Sequence, residues 1–323
     1  MIKNIILRLY QCTARFFYRP SVSIGGILML HRIDSPNPNG IWYNQHLKIS
    51  PSVIEKMVVY ARNHRCRFVS IDELIDAVRQ RKKVRRLIAI TLDDGYRDNY
   101  LNGTPTFRKL KVPYTIYVCT QMVRGEMLYW WEILERLVLE NSAITLDDGS
   151  FFDCSTKEAK EQSFLDIREI ILKLPQKNLC DELKKIFANY DIDYEYGNEK
   201  LGLTWEQINE LKKESLATIG NHTYSHCAFT GLDDGDIEAD IKKAASEMRE
   251  NSGLEMNHFA FPFGEATAVS LHDIELVKNL GFRTSATTND GLVCYGTDLL
   301  ELPRLFVTER NWKQVMDRII SNC

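Results

Sequence analysis

Short apolar runs alternate with helical patterns from residue 26 onward, which predicts an α/β chain built as a β/α barrel or a doubly wound sheet. Two further observations carry that expectation. Runs such as Leu87-Ile-Ala-Ile-Thr-Leu92 are continuously hydrophobic, as strands buried on both faces of a parallel sheet are. The 323 residues, 44% hydrophobic and 26% charged, are also enough for one large α/β domain or two smaller ones.

Taken in chain order, the first expected element is an amphipathic helix over residues 1–20. Met1 to Arg19 holds Lys3, Arg8, Arg15 and Arg19 and no acid. At 100° per residue Ile2, Ile5, Ile6, Leu9, Cys12, Phe16 and Phe17 share one face, opposite Asn4, Arg8, Gln11, Arg15 and Arg19. Arg8 and Arg15 interrupt the apolar stretch of a cleaved signal. The segment therefore reads either as a helix lying on an anionic membrane surface or as one packed on its own domain. No apolar run approaches the roughly 20 residues needed to span a bilayer.

Strands are expected at Gly26–His31, Arg67–Ile71, Leu87–Leu92, Tyr114–Cys119, Ala217–Gly220, Phe259–Pro262, Arg283–Ala286 and Glu301–Val307. A helix beginning near Pro51 carries Val53, Ile54, Met57, Val58, Tyr60 and Ala61. Thr204 and Gln207 form a capping box for a helix over Trp205–Lys213. Further helices fit Ile237–Arg249 and Ser270–Leu280. The alternation lapses between Thr120 and Thr204. There a helix from Trp130, a hairpin at Ile144–Phe152 and charged helices from Thr156 to Asn189 read as a mostly helical insertion at about 125–203, inside a barrel spanning 21–323.

A net charge of -3 gives no nucleic-acid signal, and the one basic run, Arg81-Lys-Lys-Val-Arg-Arg86, reads as a solvated loop. The eight cysteines are scattered, without a CxxC pair, which suits a reducing compartment.

Two clusters carry chemistry. Asp93-Asp94-Gly95-Tyr96 follows the strand Leu87–Leu92, and Asn221-His222-Thr223-Tyr224-Ser225-His226 follows Ala217–Gly220. Both sit at the strand ends where β/α folds gather functional groups. Two imidazoles at i and i+4 on one helical turn, with a carboxylate from another strand, make a three-ligand metal site that leaves positions open for water and substrate. The adjacent Asp then serves as a proton acceptor. Asp-Asp-Gly alone is weak, because it recurs at 147–149 inside the hairpin pattern and at 233–235 before a helix. The preceding buried strand and the matching His-x-x-x-His promote Asp93 and Asp94.

Thr91-Leu-Asp-Asp-Gly95 together with His222-Thr-Tyr-Ser-His226 resembles the polysaccharide deacetylase family, the NodB-homology fold of carbohydrate esterase family 4. The resemblance covers roughly Gly26 to Val307 apart from the insertion. It implies a distorted (β/α)7 barrel that hydrolyses N-acetyl, sometimes O-acetyl, groups on sugars. It implies Asp93 as general base, with Asp94, His222 and His226 holding one divalent metal, usually zinc. Phe261-Pro262-Phe263-Gly264 resembles the third family motif, a wall of the substrate groove, which points to Pro262 and Phe263 as substrate contacts. Where many members carry an Arg paired with the base this chain has Ala260, and Arg304 in Leu302-Pro303-Arg304 is the candidate replacement.

The fourth, Trp-containing motif is absent. The histidine of the fifth motif, which protonates the leaving amine, is also absent, since no His lies beyond His272. His31, ending the first strand, is the candidate acid. Tyr96 and Asn221 are placed beside substrate, with Asn221 alternatively positioning His222. Trp130 and Trp131 are read as sugar-stacking or core residues. His46, His64, His258 and His272 are read as structural or exposed.

The expected activity is removal of acetyl groups from an amino sugar in an oligosaccharide, lipid-linked or nucleotide-linked glycan. The expected location is cytoplasmic, at the inner membrane face if residues 1–19 bind it. A glycan-binding barrel without catalysis, and an O-acetyl esterase or deformylase, are the alternatives.

Overall fold

The computed structural model describes residues 22–230, 232–264 and 269–323. The amphipathic helix expected over 1–20 lies outside the described residues. Seven strands close a parallel ring: β1 (Ser23–Leu30), β3 (Leu87–Leu92), β4 (Tyr114–Val118), β7 (Ala217–Asn221), β8 (His258–Ala260), β9 (Thr284–Asp290) and β11 (Leu302–Phe306), with β11 returning to β1. Short β2 (Arg67–Phe68) lies parallel beside β3, and β10 (Val293–Cys294) runs antiparallel to β1. Every residue of β1 and β3 is buried, as continuously apolar runs between two layers should be.

The seam between β1 and β3 depends on a missing side chain. A Cβ at Gly25 would lie 1.9 Å from the carbonyl oxygen of Leu87. Gly25→Ala is therefore expected to lower stability by about 1–3 kcal/mol, because the seam must spread to admit it. Urea denaturation measures this, and a variant as stable as wild type would show that the seam is loose.

Around the ring lie α1 (Trp42–Gln45), α2 (Pro51–Asn63), α3 (Ile71–Arg79), α4 (Thr104–Leu110), α5 (Thr120–Arg124), α9 (Trp205–Leu211), α10 (Asp234–Ser252), α11 (Leu271–Asn279) and α12 (Trp312–Asn322). The capping box at Thr204 and Gln207 is present and starts α9. Helix α2 begins with Pro51 after a Ser50 cap. Ile71 belongs to a helix rather than to the preceding strand: the Ser70 hydroxyl accepts from the Glu73 amide and starts α3. The strand expected at Phe259–Pro262 ends at Ala260, and Arg283–Ala286 is the start of a strand that runs on to Asp290.

The segment read as an insertion holds α6 (Trp130–Glu140), the hairpin β5 (Ala143–Thr145) and β6 (Phe151–Asp153), α7 (Lys157–Ile171) and α8 (Leu179–Ile186). It has its own apolar core around Trp130, Leu134, Phe164 and Ile167. Asp147-Asp148-Gly149 is the hairpin turn, with Gly149 at φ 85°, while Asp233 caps α10. Buried Glu135 of α6 ties this core to the chain after β1. Its carboxylate accepts from the Ile41 amide and from the side-chain amides of Asn44 and Gln45, at 2.8–2.9 Å. Arg32 bridges Asp98 and Glu132 at 2.9 and 3.0 Å in the same layer.

Candidate active site

The carboxyl ends of the ring strands converge on one cavity of about 390 Å³. Asp93 and Asp94 follow β3, His222 and His226 follow β7, and His31 follows β1. Oδ1 of Asp94 lies 3.2 Å from Nε2 of His222 and 3.1 Å from Nε2 of His226. Oδ1 nonetheless makes no hydrogen bond, although it is buried. His222 Nδ1 lies 2.8 Å from the Ala260 carbonyl, which fixes that nitrogen as the donor and leaves Nε2 bare. One ligand atom from each of the three residues lies within 4.8 Å of the other two. An orphaned carboxylate oxygen facing two imidazole nitrogens fits a divalent ion held by three protein ligands. Among the described residues no other such cluster exists.

The two histidines do not share the helical turn expected from their spacing. Residues 222–228 form an irregular loop, with Thr223 at φ 66° and His226 at φ 56°. Side chains supply the bonds that a helix would otherwise make. Thr223 N–H donates to Asn221 Oδ1 (2.7 Å), His226 N–H to Thr223 Oγ1 (3.0 Å), and the amides of Tyr224 and Ser225 to Asp240 Oδ2 (2.8 and 3.2 Å). Asp94, at φ 74°, is likewise left-handed, so both ligand loops hold strained backbone.

Arg304 projects from β11 onto Asp93. Nη1 donates to Oδ1 at 2.6 Å and Nη2 to Oδ2 at 2.7 Å, while Nε is spent on the Thr287 carbonyl at 2.9 Å. Arg304 and Asp93 are 1% and 2% exposed, so the pair is shielded from water. Burial pushes the Asp93 carboxyl up, but the Arg304 guanidinium together with His222 and His31 outweighs it and holds the carboxyl below its usual range. His31 faces the same cavity, and its Nδ1 has no hydrogen-bond partner. Burial lowers its pKa, only partly offset by Asp94 and Asp93.

Tyr96 is 1% exposed on the cavity wall. Its hydroxyl accepts from Trp131 Nε1 at 2.9 Å, and the Arg32 guanidinium sits 4.5 Å from its ring centroid. Burial raises its phenol well above the ordinary value. Phe263 packs 5.1 Å from the His226 ring, at φ 58°. Trp130 reaches the wall but is mostly in the insertion core.

Two expected substrate contacts are corrected. Asn221 is fully buried and spends its amide on the loop and on the Ile241 carbonyl, so it positions His222 instead. Pro262 is buried and does not line the cavity; the neighbouring Phe263 does. His46, read as structural or exposed, lines the cavity against Phe306, with ring centroids 5.4 Å apart. Trp131, read as sugar-stacking or core, lines the wall, and Phe306 and Arg168 are wall residues that the sequence does not place there.

The description "polysaccharide deacetylase" belongs to the family pattern that matches residues 80–146 and 178–285, more than half of the chain. No curated protein sequence matches. Among solved structures, the deacetylase PplD of Streptococcus pyogenes, in complex with acetate, superposes with a TM-score of 0.62 at 16% identity, over 93% of this chain and 99% of that one. IcaB from Ammonifex degensii gives 0.60 at 19% identity, over 92% and 97%. A de-N-acetylase from Aggregatibacter actinomycetemcomitans gives 0.57 at 12% identity, over 91% and 99%. At such identities the likeness is one of fold, a closed seven-stranded parallel barrel.

Proposed function

The chain belongs to the polysaccharide deacetylase family, and from that premise we propose that it is a metal-dependent hydrolase that removes N-acetyl groups from an amino sugar in a glycan or glycan precursor. The observation that carries this reading is the Asp94–His222–His226 cluster beside an Arg304-clamped Asp93 in one cavity. A binding module has no need of a second carboxylate held ionised next to three converging ligands.

Asp94, His222 and His226 would hold the ion, which supplies Lewis acidity to an acyl carbonyl and lowers the pKa of water. Asp93, ionised at neutral pH and unable to rotate, is the base that accepts a proton from water. Each of its oxygens keeps a lone pair beyond the one bonded to Arg304. His31, held neutral by burial, would take up the proton that Asp93 accepts from water and hand it to the leaving nitrogen. Trp131 and Phe263 offer flat apolar faces to a sugar ring on either side of His226.

The test is acetate release from a panel of N-acetylated mono- and oligosaccharides, with bound metal measured on the same preparation. About one ion per chain and acetate release that chelation removes would support the reading. Metal bound with no acyl release from any substrate would leave a glycan-binding barrel. His31→Gln separates amide from ester chemistry, because an amine leaves poorly without a proton and an alkoxide depends on one less. The variant is expected to lose about 10²-fold on N-acetyl substrates and little on acetyl esters. Equal losses on both would remove His31 from the leaving-group step.

A further inference from the structure

The reaction cavity holds one cation that the proposed chemistry does not use. Arg168 of α7 lines it, and among the described lining residues it is the only lysine or arginine. Residue 168 falls between the two stretches that the family pattern matches, 80–146 and 178–285, so that pattern does not account for it.

The guanidinium is held in place with donors to spare. Its central carbon lies 4.7 Å from the ring centroid of Tyr43 on α1, and that ring lies 5.3 Å from the His46 imidazole. A guanidinium carries five N–H donors. Among the described residues one of them is engaged, by Glu169 Oε1 at 2.9 Å from Nη1. The Glu169 side chain is 61% exposed and that of Arg168 is 15%, so this ion pair is screened and a better-buried anion can displace it. Arg168 also stands in the last turn of α7, where a cation complements the helix dipole. That role asks for no contact with the cavity.

Charge in the rest of the cavity points the same way. Its lining acids are Asp93 and Asp94. Asp93 is matched by the two-point grip of Arg304. Asp94 converges with His222 and His226, and a divalent ion held there would more than cancel its charge. The loaded cavity is then net positive, with Arg168 as a second cationic centre. A neutral acetamido sugar would leave this guanidinium without a counter-charge inside the cavity, whereas an oxyanion on the sugar would supply one.

We propose that Arg168 is a specificity-determining residue that binds an oxyanion, carboxylate or phosphate, on the same sugar that loses its acetyl group, so that the preferred substrate is an anionic amino sugar. The proposal rests on the deacetylase reading and deepens it. The planar fork of N–H groups suits either oxyanion in a two-point contact, and stacking on Tyr43 fixes its plane.

The test separates binding from chemistry. Calorimetry on the full chain with added zinc compares N-acetylglucosamine, its 1-phosphate and an N-acetylhexosaminuronic acid, the last two separating a phosphate source from a carboxylate source. Wild type is expected to bind at least one anionic sugar about 10-fold or more tightly than the neutral one, with the margin shrinking as salt rises. Arg168→Gln should bring anionic and neutral sugars to the same affinity. Arg168→Lys, which keeps the charge without the fork, should retain part of the margin. No margin in wild type, or a margin that survives Arg168→Gln and so belongs to the metal cluster, would overturn the proposal. An anion preference in a chain that releases no acetate would uphold Arg168 and sink the hydrolase reading, while acetate release without that preference would do the reverse.

Discussion

Asp94→Asn is expected to lower acetate release at least about 10³-fold, roughly 4 kcal/mol of lost transition-state stabilisation, and to remove the effect of divalent metal on thermal stability. The position selects this substitution. Asp94 is 6% exposed at φ 74°, a left-handed conformation that Asn tolerates and Ala does not, so the exchange changes charge and ligand strength without adding backbone strain. Its Oδ1 has no hydrogen-bond partner.

With metal present the wild type gains RT ln(1 + [L]/Kd), about 2.7 kcal/mol at a concentration 100 times the dissociation constant. The variant forgoes most of that gain. Melting curves of both proteins with added zinc and with a chelator are the measurement, and they need no substrate. Wild type should melt several degrees higher with zinc, and the variant should not respond. A variant that responds to zinc as wild type does would mean that Asp94 is not a ligand, whatever the activity shows.

The strands and the two acidic and histidine clusters were readable because their signals are local. Leu87–Leu92 is unbroken in its hydrophobicity and was placed to the residue, and Thr204 with Gln207 announces its helix within four positions. The conformation of 222–228 was not readable. His-x-x-x-His has the spacing of a helical turn, and the bonds that override it come from Asp240, 14 residues beyond His226 in sequence. The Arg304–Asp93 contact spans 211 residues. Only the vacancy at Ala260 hinted that some other cation had to reach the base, and chemistry rather than pattern nominated Arg304.

Helix α3 is obscured in the sequence for a different reason. Ile71, Leu74, Ile75 and Val78 have helical spacing, but Ile71 also continues the apolar run Arg67–Ile71, and only the Ser70 cap separates the two elements. The wall made by His46 and Arg168 joins the chain after β1 to the insertion, where Glu135 holds the two together, a tertiary event with no periodic trace.

Arg304→Ala is expected to destabilise the fold by about 3–5 kcal/mol, because it leaves the buried Asp93 charge without its partner. The loss has two separable parts. One is the guanidinium's own bond to the Thr287 carbonyl. The other is the orphaned carboxylate, and Asp93→Asn added to Arg304→Ala should recover that second part while Asp93→Asn alone does not stabilise. Urea denaturation of the three variants forms the cycle.

The pH dependence gives an independent reading. Wild-type Asp93 is depressed in the folded state, so the stability it lends is present above the unfolded carboxylate value near 3.9 and is lost as pH falls through its lower folded pKa. Without Arg304, burial, the largest single influence, is opposed only by His222 and His31, and the carboxyl should rise. The acid limb of the acetate-release profile should then move toward neutral pH, and the variant should regain activity relative to wild type as pH rises. Arg304→Lys, which keeps the charge but not the two-point grip, should shift the limb less while still slowing turnover, because a single ammonium does not fix the carboxylate plane. An unshifted acid limb in Arg304→Ala would mean that Asp93 is not the base, even if the fold were weakened as expected.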